Sequence, residues 1–499
     1  MFKKVLIANR GEISVRIIRA LREMDVASVA VFSEVDRLSL PVQMADEAVC
    51  IGPAPSSQSY LSIEQILAAA KRTHADAIHP GYGFLSENAQ FARACTDAGV
   101  KFIGPRADAI EQMGSKTAAR RVAIEAGAPV VPGTEQGVQN IREASDSARA
   151  IGYPVLLKAA AGGGGKGMRR VEREEDLEAA LRGAAGEAEG AFGSSEVYIE
   201  KLIDRPRHIE VQVLGDEHGN LIHLGERECS IQRRHQKVVE ECPSPLVALR
   251  PELRSEIGEA ALKIARQVGY CNAGTLEFLA DQQGNFYFLE MNTRLQVEHP
   301  VTEWVTGVDL VRWQIRIAAG EPLALRQEDI RWTGSAIECR VYAEDPENNF
   351  LPSPGPILTY VEPSGPGVRV DGGVYAGWNV PLEYDPLLAK LSVWAESRSA
   401  AIERMRRAVS EYRVLGITTN LGLFHRITQD PTFQSGELHT GFLDEFKLRE
   451  DASPQSSSEW LAAILAAAHI QGETPALAVA QPHANGSAWR QFARQESIR

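Results

Sequence analysis

The first hundred residues alternate between short apolar runs and amphipathic stretches. "KKVLIAN" and "ASVAVFS" are β-rich runs, and "GEISVRIIRALREM" between them places its apolar residues on one helical face. Two further helical patterns ("IEQILAAAKR" and "NAQFARACTDAG") and a strand ("ADAIHPG") continue the alternation to about residue 115. This order predicts a doubly wound α/β domain with a parallel sheet.

The pattern changes around a run of glycines that follows the strand "YPVLLKAAA" and precedes a second strand, "MRRV". A Walker A loop is excluded because Lys166 is followed by Gly167 rather than by Ser or Thr. The spacing G-x-G-x-x-G is matched formally, but that fingerprint opens a helix. We expect a flexible flap between antiparallel strands whose amides close over phosphate oxygens, with a hairpin that binds nothing as the alternative.

The stretch "GTLEFLADQQGNFYFLEMN" contains two β-rich runs joined by a turn signal. A turn centred on Gln283–Gly284 would pair Leu279 with Phe288 and Glu277 with Glu290. Opposed like charges destabilise a sheet, so two such carboxylates share a proton or hold a cation, with Mg²⁺ or Mn²⁺ the natural choice. A register slip, or two solvated glutamates on an exposed face, is the competing interpretation.

Polar residues continue at every second position beyond this hairpin, at Glu290, Asn292, Arg294, Gln296 and Glu298. An extended strand over this stretch would span about 26 Å, too far for one point site. The chain therefore either bends or lines an elongated groove. We expect metal ligands at one end and an anion and its base further along.

The remainder divides into a helix-and-strand region and a β-rich region. "RHIEVQVLGDEHGNLIHLGERECSIQRR" alternates like antiparallel strands around a turn, and "ELRSEIGEAALKIARQVG" is helical. Beyond residue 331, "GSAIECRVYAED", "GPILTYVEP" and "GVRVDGGVY" predict strands, closed by a helix over "SAAIERMRRAVSEY". Residues 449–459 have the composition of a linker, and one short helix is predicted in the tail.

Composition narrows the classes of partner. The net charge of −13 argues against nucleic acid, so the basic run "QRRHQK" is assigned to a small anion or a charged face rather than to RNA. No apolar run approaches a membrane span, and the start of the chain lacks a secretory signal, so we expect a cytoplasmic protein. The six cysteines form no CxxC pair and are expected to be buried or half-buried thiols.

Long strings of residues resemble the biotin carboxylase family, the ATP-grasp component of biotin-dependent carboxylases, over about residues 1–447. They include "IANRGEI", "AIHPGYGFLSENA", "GYPVLLKAAAGGGGKGM", "ERECSIQRRHQKVVEE", "EMNTRLQVEHPVTE" and "ECRVYAEDP". The resemblance implies an ATP-grasp fold of class α/β (α+β overall), with a Rossmann-like N-terminal domain, a mobile lid and a β-rich C-terminal domain. The expected boundaries are 1–115 for the N-terminal domain, 116–205 for the lid with linker helices, 206–330 for the catalytic core, 331–447 for the C-terminal domain and 448–499 for the linker and tail.

The resemblance also implies the activity of a ligase. ATP and bicarbonate would form carboxyphosphate, whose carboxyl group passes to N1 of biotin on a carrier protein. The implied ATP contacts, some through the backbone, are Lys116, Lys158, Gly163, Gly164, Gly165, Lys166, Gly167, Glu200, Lys201, Ile203, His208, Gln232, His235, Glu277 and Glu290.

The remaining implied roles concern the metal, bicarbonate and biotin. Two Mg²⁺ or Mn²⁺ ions are expected on Glu277, Glu290 and Asn292. Bicarbonate and biotin are assigned to Lys237, Arg294, Gln296, Val297 and Arg340. Glu298 matches the base that deprotonates bicarbonate, and Arg340 matches the cation that steadies the biotin enolate; Lys237 and Arg294 complete the catalytic set.

The implied partners are a biotin carboxyl carrier protein, a carboxyltransferase and a second copy of the chain. Arg19, Glu23 and Arg369 match dimer contacts of the family, whereas Pro366 stands where an aromatic residue is common. An acetyl- or propionyl-CoA carboxylase is the leading hypothesis. The alternatives are the same module of a pyruvate- or urea-type carboxylase, another ATP-grasp ligase that forms an acyl phosphate, and a regulatory protein that has lost catalysis.

Overall fold

A parallel five-stranded sheet forms the N-terminal region of the computed structural model, which describes residues 1–134, 137–138, 140–159, 168–192, 194–234 and 236–446. The strand order is β3-β2-β1-β4-β5. The strands are β1 (Lys4–Ile7), β2 (Ala27–Ser33), β3 (Glu47–Gly52), β4 (Ala77–His79) and β5 (Lys101–Phe102). The helices are α1 (Gly11–Glu23), α2 (Leu40–Met44), α3 (Ile63–Thr73), α4 (Ala89–Asp97) and α5 (Ala107–Gly114).

Both faces of this sheet are covered, as expected for a doubly wound fold. On β1, Val5 and Ile7 join the hydrophobic core beneath α1, while Leu6, with Ala8 just after the strand, joins the core on the other face. The prediction of an α/β domain is therefore confirmed. The edge strands β3 and β5 escaped prediction because one is half exposed and the other has only two residues.

A small antiparallel sheet follows, in the order β7-β6-β8. Its strands are β6 (Val155–Ala159), β7 (Arg169–Val171) and β8 (Val197–Lys201), and the helices α7 (Ile141–Ile151) and α8 (Leu177–Phe192) pack against them. The preceding helix α6 (Lys116–Glu125) packs instead against β13 (Phe286–Asn292) and α10 (Glu252–Gln267). Strands β6 and β7 pair antiparallel on either side of the glycine run, as predicted. Residues 160–167, which include Gly163 to Gly167 and Lys166, lie outside the described residues.

An eight-stranded antiparallel sheet carries the rest of the molecule, in the order β13-β12-β9-β10-β11-β14-β21-β19. Its strands are β9 (Arg207–Gly215), β10 (Leu221–Arg233), β11 (Gln236–Cys242), β12 (Asn272–Ala280), β13 (Phe286–Asn292), β14 (Ser335–Tyr342), β19 (Val368–Gly372) and β21 (Leu387–Ala395). Segments that the sequence assigned to the catalytic core and to the C-terminal region thus share one sheet.

Short ladders and helices surround this sheet. The short strands are β15 (Glu344–Asp345), β16 (Leu351–Pro352), β17 (Gly355–Pro356), β18 (Thr359–Val361), β20 (Asn379–Val380) and β22 (Arg413–Leu415). The helices are α9 (Pro245–Leu249), α10 (Glu252–Gln267), α11 (His299–Thr306), α12 (Leu310–Ala318), α13 (Arg398–Glu411), α14 (Leu421–Ile427), α15 (Pro431–Ser435) and α16 (Phe442–Glu445). The predicted linker and tail, 448–499, lie outside the described residues.

The alternation of β9 and β12 separates a packed face from a polar face. Ile209, Val211 and Phe278 belong to a hydrophobic core shared with α10, whereas the residues between them are polar. Among the described helices, none is long and apolar enough to cross a membrane. Five cysteines are buried, but Cys50 is exposed, contrary to expectation, because it lies on the edge strand β3.

Candidate active site

Four charged residues lie side by side across four strands of the large sheet. The ladder pairs Glu290 of β13 with Glu277 of β12, Glu277 with Glu210 of β9, and Glu210 with Arg227 of β10. Glu210 and Arg227 are fully buried, and their side chains form an ion pair with an Nε–Oε1 distance of 2.5 Å. The row therefore carries an excess of negative charge at its β12–β13 end.

The hairpin β12–β13 reaches this arrangement through a bulge. Next to the turn, Leu279 pairs with Tyr287 rather than with Phe288, so that predicted pair is wrong. The register then shifts by one residue at Leu289, after which Glu277 pairs with Glu290 as predicted. An extra residue in one strand leaves no signature in an apolar–polar pattern, which is why the sequence did not indicate it.

Lys237 of β11 joins three carboxylates. Its Nζ lies 2.5 Å from Oε2 of Glu210, 2.8 Å from Oε1 of Glu277 and 2.7 Å from Oε1 of Glu298. The side chain of Lys237 keeps 11% of its exposure, while Glu298 has none. Burial by itself would lower the pKa of Lys237, but the three negative charges raise it well above its ordinary value.

The chain bends after β13 instead of continuing as an extended strand. The strand ends at Asn292 and α11 begins at His299, so residues 293–298 fold back toward β12. Arg294 donates to Oε1 of Gln296 at 3.0 Å and to Oδ1 of Asn292 at 3.0 Å. Nε2 of Gln296 lies 3.4 Å from Oε1 of Glu277. The spacing of the polar residues allowed either a bend or an elongated groove, and the structure has the bend. It brings the polar residues into one site.

Arg340 of β14 closes the site on the other side of Glu298. It donates from Nη2 to Oε2 of Glu298 at 2.9 Å and from Nε to Oε1 of Glu240 at 2.5 Å. Burial alone would raise the pKa of Glu298, but Lys237 and Arg340 hold it well below its ordinary value. Glu298 is thus an ionised, fully buried carboxylate held between two cations.

One cleft of about 1370 Å³ gathers the predicted ligand residues. Its lining includes Lys116, Lys158, Glu200, Lys201, Ile203, His208, Gln232, Lys237, Glu277, Glu290, Asn292, Arg294, Gln296, Val297 and Arg340. Glu298 lies directly behind Lys237 and Arg340. The other predicted nucleotide contacts, Gly163 to Gly167 of the flap and His235, lie outside the described residues.

Lysines at the lid side of the cleft make different contacts. Nζ of Lys158 lies 2.5 Å from Oε2 of Glu200, which leaves both side chains at the cleft wall. Lys201 instead donates to the carbonyls of Gly152 and Tyr153 at 2.8 and 3.0 Å. The ammonium of Lys201 is therefore held by the backbone before β6 rather than by a carboxylate.

The Glu277–Glu290 pair has the chemistry of a divalent-cation site. Within the described part of the chain, the Glu290 carboxylate makes no ion pair, and burial together with the charge of Glu277 raises its pKa. Asn292 donates from Nδ2 to Oε1 of Glu277 at 2.9 Å. The two opposed carboxylates provide the oxygen ligands that Mg²⁺ and Mn²⁺ prefer, so Glu277 and Glu290 fit the predicted metal. The Asn292 oxygen accepts from Arg294 in this structure and would join them after a turn of the amide.

Sequence reasoning missed several residues that build this site. Glu210 and Arg227 form its floor, Glu240 anchors Arg340, and Glu87 accepts from Nε of Arg294 at 2.8 Å. A signal for Glu210 was present, because His208, Glu210 and Gln212 alternate with apolar residues along β9. Glu87 and Glu240 have no comparable local signal.

Comparison with known proteins agrees with this geometry. Family models described as biotin carboxylase N-terminal domain, carbamoyl-phosphate synthase L chain ATP binding domain, and biotin carboxylase C-terminal domain match residues 1–110, 115–326 and 338–445. A biotin carboxylase of Nostoc is 54% identical over 444 residues, covering 89% of this chain and 99% of the relative. One of the pyruvate carboxylase chains of Methanothermobacter thermautotrophicus is 53% identical over 452 residues, covering 91% of this chain and 91% of the relative.

A solved structure gives the same result in three dimensions. The biotin carboxylase domain dimer of Hydrogenobacter thermophilus 2-oxoglutarate carboxylase, in complex with MgADP, ADP and bicarbonate, matches with a TM-score of 0.84. The identity is 50%, and the match covers 89% of this chain and 98% of that one. The chain thus belongs to the biotin carboxylase family of ATP-dependent ligases.

Proposed function

We propose that the chain catalyses the first half-reaction of an acyl-CoA carboxylase, in which ATP and bicarbonate carboxylate biotin on a carrier protein. The observation that carries this proposal is the position of Glu298 between Lys237 and Arg340, beside the Glu277–Glu290 pair. A base, two cations and a candidate metal site then meet in one cleft. The ligands named for the Hydrogenobacter structure, MgADP and bicarbonate, belong to the same reaction.

The carboxylate pair would hold Mg²⁺ or Mn²⁺, with Asn292 as an additional oxygen ligand. A divalent ion there would neutralise charge on the phosphates of ATP during transfer. Two ions remain our expectation. The lid sheet with Lys158 and Glu200 is proposed to bind the nucleotide together with Lys116, His208 and the other predicted contacts. The flap over residues 163–167 is proposed to close on the phosphates.

Glu298 is proposed to take the proton of bicarbonate. One bicarbonate oxygen then attacks the γ-phosphorus, the bond to the bridging oxygen breaks and ADP leaves. The low pKa of Glu298 opposes this proton transfer while Lys237 and Arg340 are both paired with it. Bicarbonate competes for these cations, which weakens their hold on Glu298 and makes it a stronger base.

Transfer to biotin forms a bond between the carboxyl carbon and N1, breaks the bond between that carbon and the phosphate oxygen, and passes the N1 proton to the released phosphate. Arg340 is proposed to stabilise the negative charge on the ureido oxygen as N1 becomes nucleophilic. Its second contact with Glu240 keeps the guanidinium in place, and a planar fork suits such an oxygen anion. Arg294, Gln296 and Val297 would complete the bicarbonate site.

Acetyl- or propionyl-CoA is the proposed final acceptor. The 53% identity to a pyruvate carboxylase chain favours pyruvate as a second candidate. The proposed partners are a biotin carboxyl carrier protein, a carboxyltransferase and a second copy of this chain in a cytoplasmic complex. The division at residues 115, 205, 330 and 447 is proposed for the domains, and the separate sheets β1–β5 and β6–β8 support its first two boundaries.

The test measures ADP release from ATP with and without bicarbonate and free biotin. We expect release to depend on bicarbonate and to increase with biotin. ADP production that neither ligand changes would contradict the proposal. Adding candidate carrier and transferase chains with acetyl-CoA, propionyl-CoA or pyruvate then identifies the acceptor.

A further inference from the structure

A fully buried lysine lies behind the proposed bicarbonate site. Lys390, in β21, is 1% exposed, and its Nζ donates to the carbonyl oxygen of Val297 at 2.8 Å. Two carboxylates lie further from this Nζ, which is 3.3 Å from Oε1 of Glu12 and 3.9 Å from Oδ2 of Asp371. The nearest partner of this ammonium is therefore a neutral backbone carbonyl, one residue before Glu298.

Lys390 stands next to Arg340 in the sheet, which is an unfavourable placement for two cations. The β14–β21 ladder pairs the two residues directly, and like charges in that relation destabilise a sheet. Each cation contacts one residue of the dipeptide Val297–Glu298. Arg340 binds the Glu298 carboxylate, and Lys390 binds the Val297 carbonyl. Their common target gives a reason for the placement.

The dipeptide belongs to a segment that has no regular secondary structure. Residues 293–298 connect β13 to α11, so few ladder or helix hydrogen bonds orient their peptide groups. Nδ1 of His299 lies 2.8 Å from the carbonyl oxygen of Gln296, and Lys390 holds the next carbonyl. These contacts decide where the amides of the segment and the Glu298 side chain point.

We propose that Lys390 is a positioning residue for bicarbonate: by holding the Val297 carbonyl, it orients residues 296–298 toward the anion. This inference rests on the proposed function. Lys390 contacts the backbone of the segment and no reacting atom, so its effect is expected in the affinity for bicarbonate rather than for ATP. An anion site binds less tightly when one of its hydrogen-bond donors is displaced from the position that the anion requires.

Glu12 provides the means to separate positioning from charge balance. It is buried in α1, pairs with Lys390 and accepts from the hydroxyl of Tyr82. Lys390 is the ion-pair partner of Glu12 among the described residues, so an effect of the single substitution could arise from the uncompensated charge of Glu12. The double variant Lys390→Met/Glu12→Gln removes that charge and still lacks the donor to Val297.

The experiment measures KM for bicarbonate and KM for ATP in the full chain. For Lys390→Met we expect the bicarbonate KM to rise roughly tenfold, the usual worth of a hydrogen bond from a charged donor, with the ATP KM within about twofold of wild type. The double variant should keep the rise, and Lys390→Arg should recover part of the affinity. Lys71→Met, at an exposed position of α3, is the matched control and should behave as wild type.

Several outcomes would overturn the inference. They are an unchanged bicarbonate KM in a folded Lys390→Met variant, equal rises in both KM values, and a return to the wild-type value in the double variant. If the single variant does not fold, the double variant is measured in its place. Failure of both to fold would assign Lys390 to folding instead. Wild-type protein without bicarbonate-dependent ADP release would contradict the proposed function itself.

Discussion

Glu277 and Glu290 lie directly opposite each other on antiparallel strands, although a bulge at Leu289 displaces the turn side of their hairpin by one residue. The bulge places two like charges on one rung, where an ordinary sheet would avoid them. Lys237 and His208 contact Glu277, whereas the Glu290 carboxylate makes no ion pair within the described residues. Lys237 and His208 therefore offset the charge of Glu277, and Glu290 is the carboxylate that a proton or a divalent ion would stabilise.

Glu290→Gln should weaken the response to the divalent ion. Loss of one carboxylate removes a direct ligand. Substitution of a residue that only hydrogen-bonds to a ligand already reduces metal affinity on the order of 10–100-fold. We therefore expect the Mg²⁺ concentration that gives half-maximal ADP release to rise by at least about tenfold. Glu256→Gln, at an exposed position of α10, is the control. An unchanged Mg²⁺ requirement would exclude Glu290 as a ligand.

Glu298→Gln should abolish most biotin carboxylation. An amide cannot accept the bicarbonate proton, and loss of a general base typically costs on the order of 10²–10⁴-fold in rate. Turnover is measured as bicarbonate-dependent ADP release with free biotin, and nucleotide affinity is measured separately to show an intact cleft. Near-normal turnover would remove Glu298 from the role of base.

Phe278→Ala should destabilise the large sheet without touching the cleft. Phe278 is fully buried on the apolar face of β12, and its ring meets Phe286 and Phe288 edge-on, with centroids 5.7 and 6.0 Å away. Truncation of a buried Phe costs about 3–5 kcal/mol of unfolding free energy. Urea denaturation measures this loss. Leu249→Ala, at a side chain that is 77% exposed, should change stability by about 0.5 kcal/mol or less; a similar effect of both substitutions would contradict the assignment of Phe278 to the core.

His223 should make the fold sensitive to mild acid. Burial, with a smaller contribution from Arg254, lowers the pKa of His223 to about 4, whereas the unfolded chain titrates near 6.5. The unfolded state therefore binds more protons between these values, and stability falls as the pH falls through this window. From pH 7 to pH 5 the contribution is about 2 kcal/mol.

The slope of unfolding free energy against pH measures that contribution. His223→Gln should flatten the slope between pH 6.5 and 4, even if it changes stability at pH 7. His74→Gln, at an exposed position after α3, serves as the control and should leave the slope as it is. Equal slopes for wild type and His223→Gln would show that His223 is not responsible.

The local patterns of the chain determined most of the elements and part of the site. Two β-rich runs and a turn signal identified β12 and β13. A turn placed at Gln283–Gly284 predicted the Glu277–Glu290 pair, which the structure reaches through the bulge at Leu289. The helices α1, α3, α4 and α10 followed from their apolar stripes. The roles assigned to Lys237 and Arg340 came from resemblance to a family, since no spacing links them to Glu298.

The tertiary structure alone decided which distant strands became neighbours. Strands β11 and β14 are separated by more than ninety residues, yet their pairing brings Arg340 to Glu298 and Glu240. It also decided the bulge at Leu289, the bend after Asn292 and the placement of Lys390 behind Val297. Local periodicity reports which face of a strand is apolar, but pairing between distant segments depends on the packing energy of the whole sheet, which no short stretch of sequence contains.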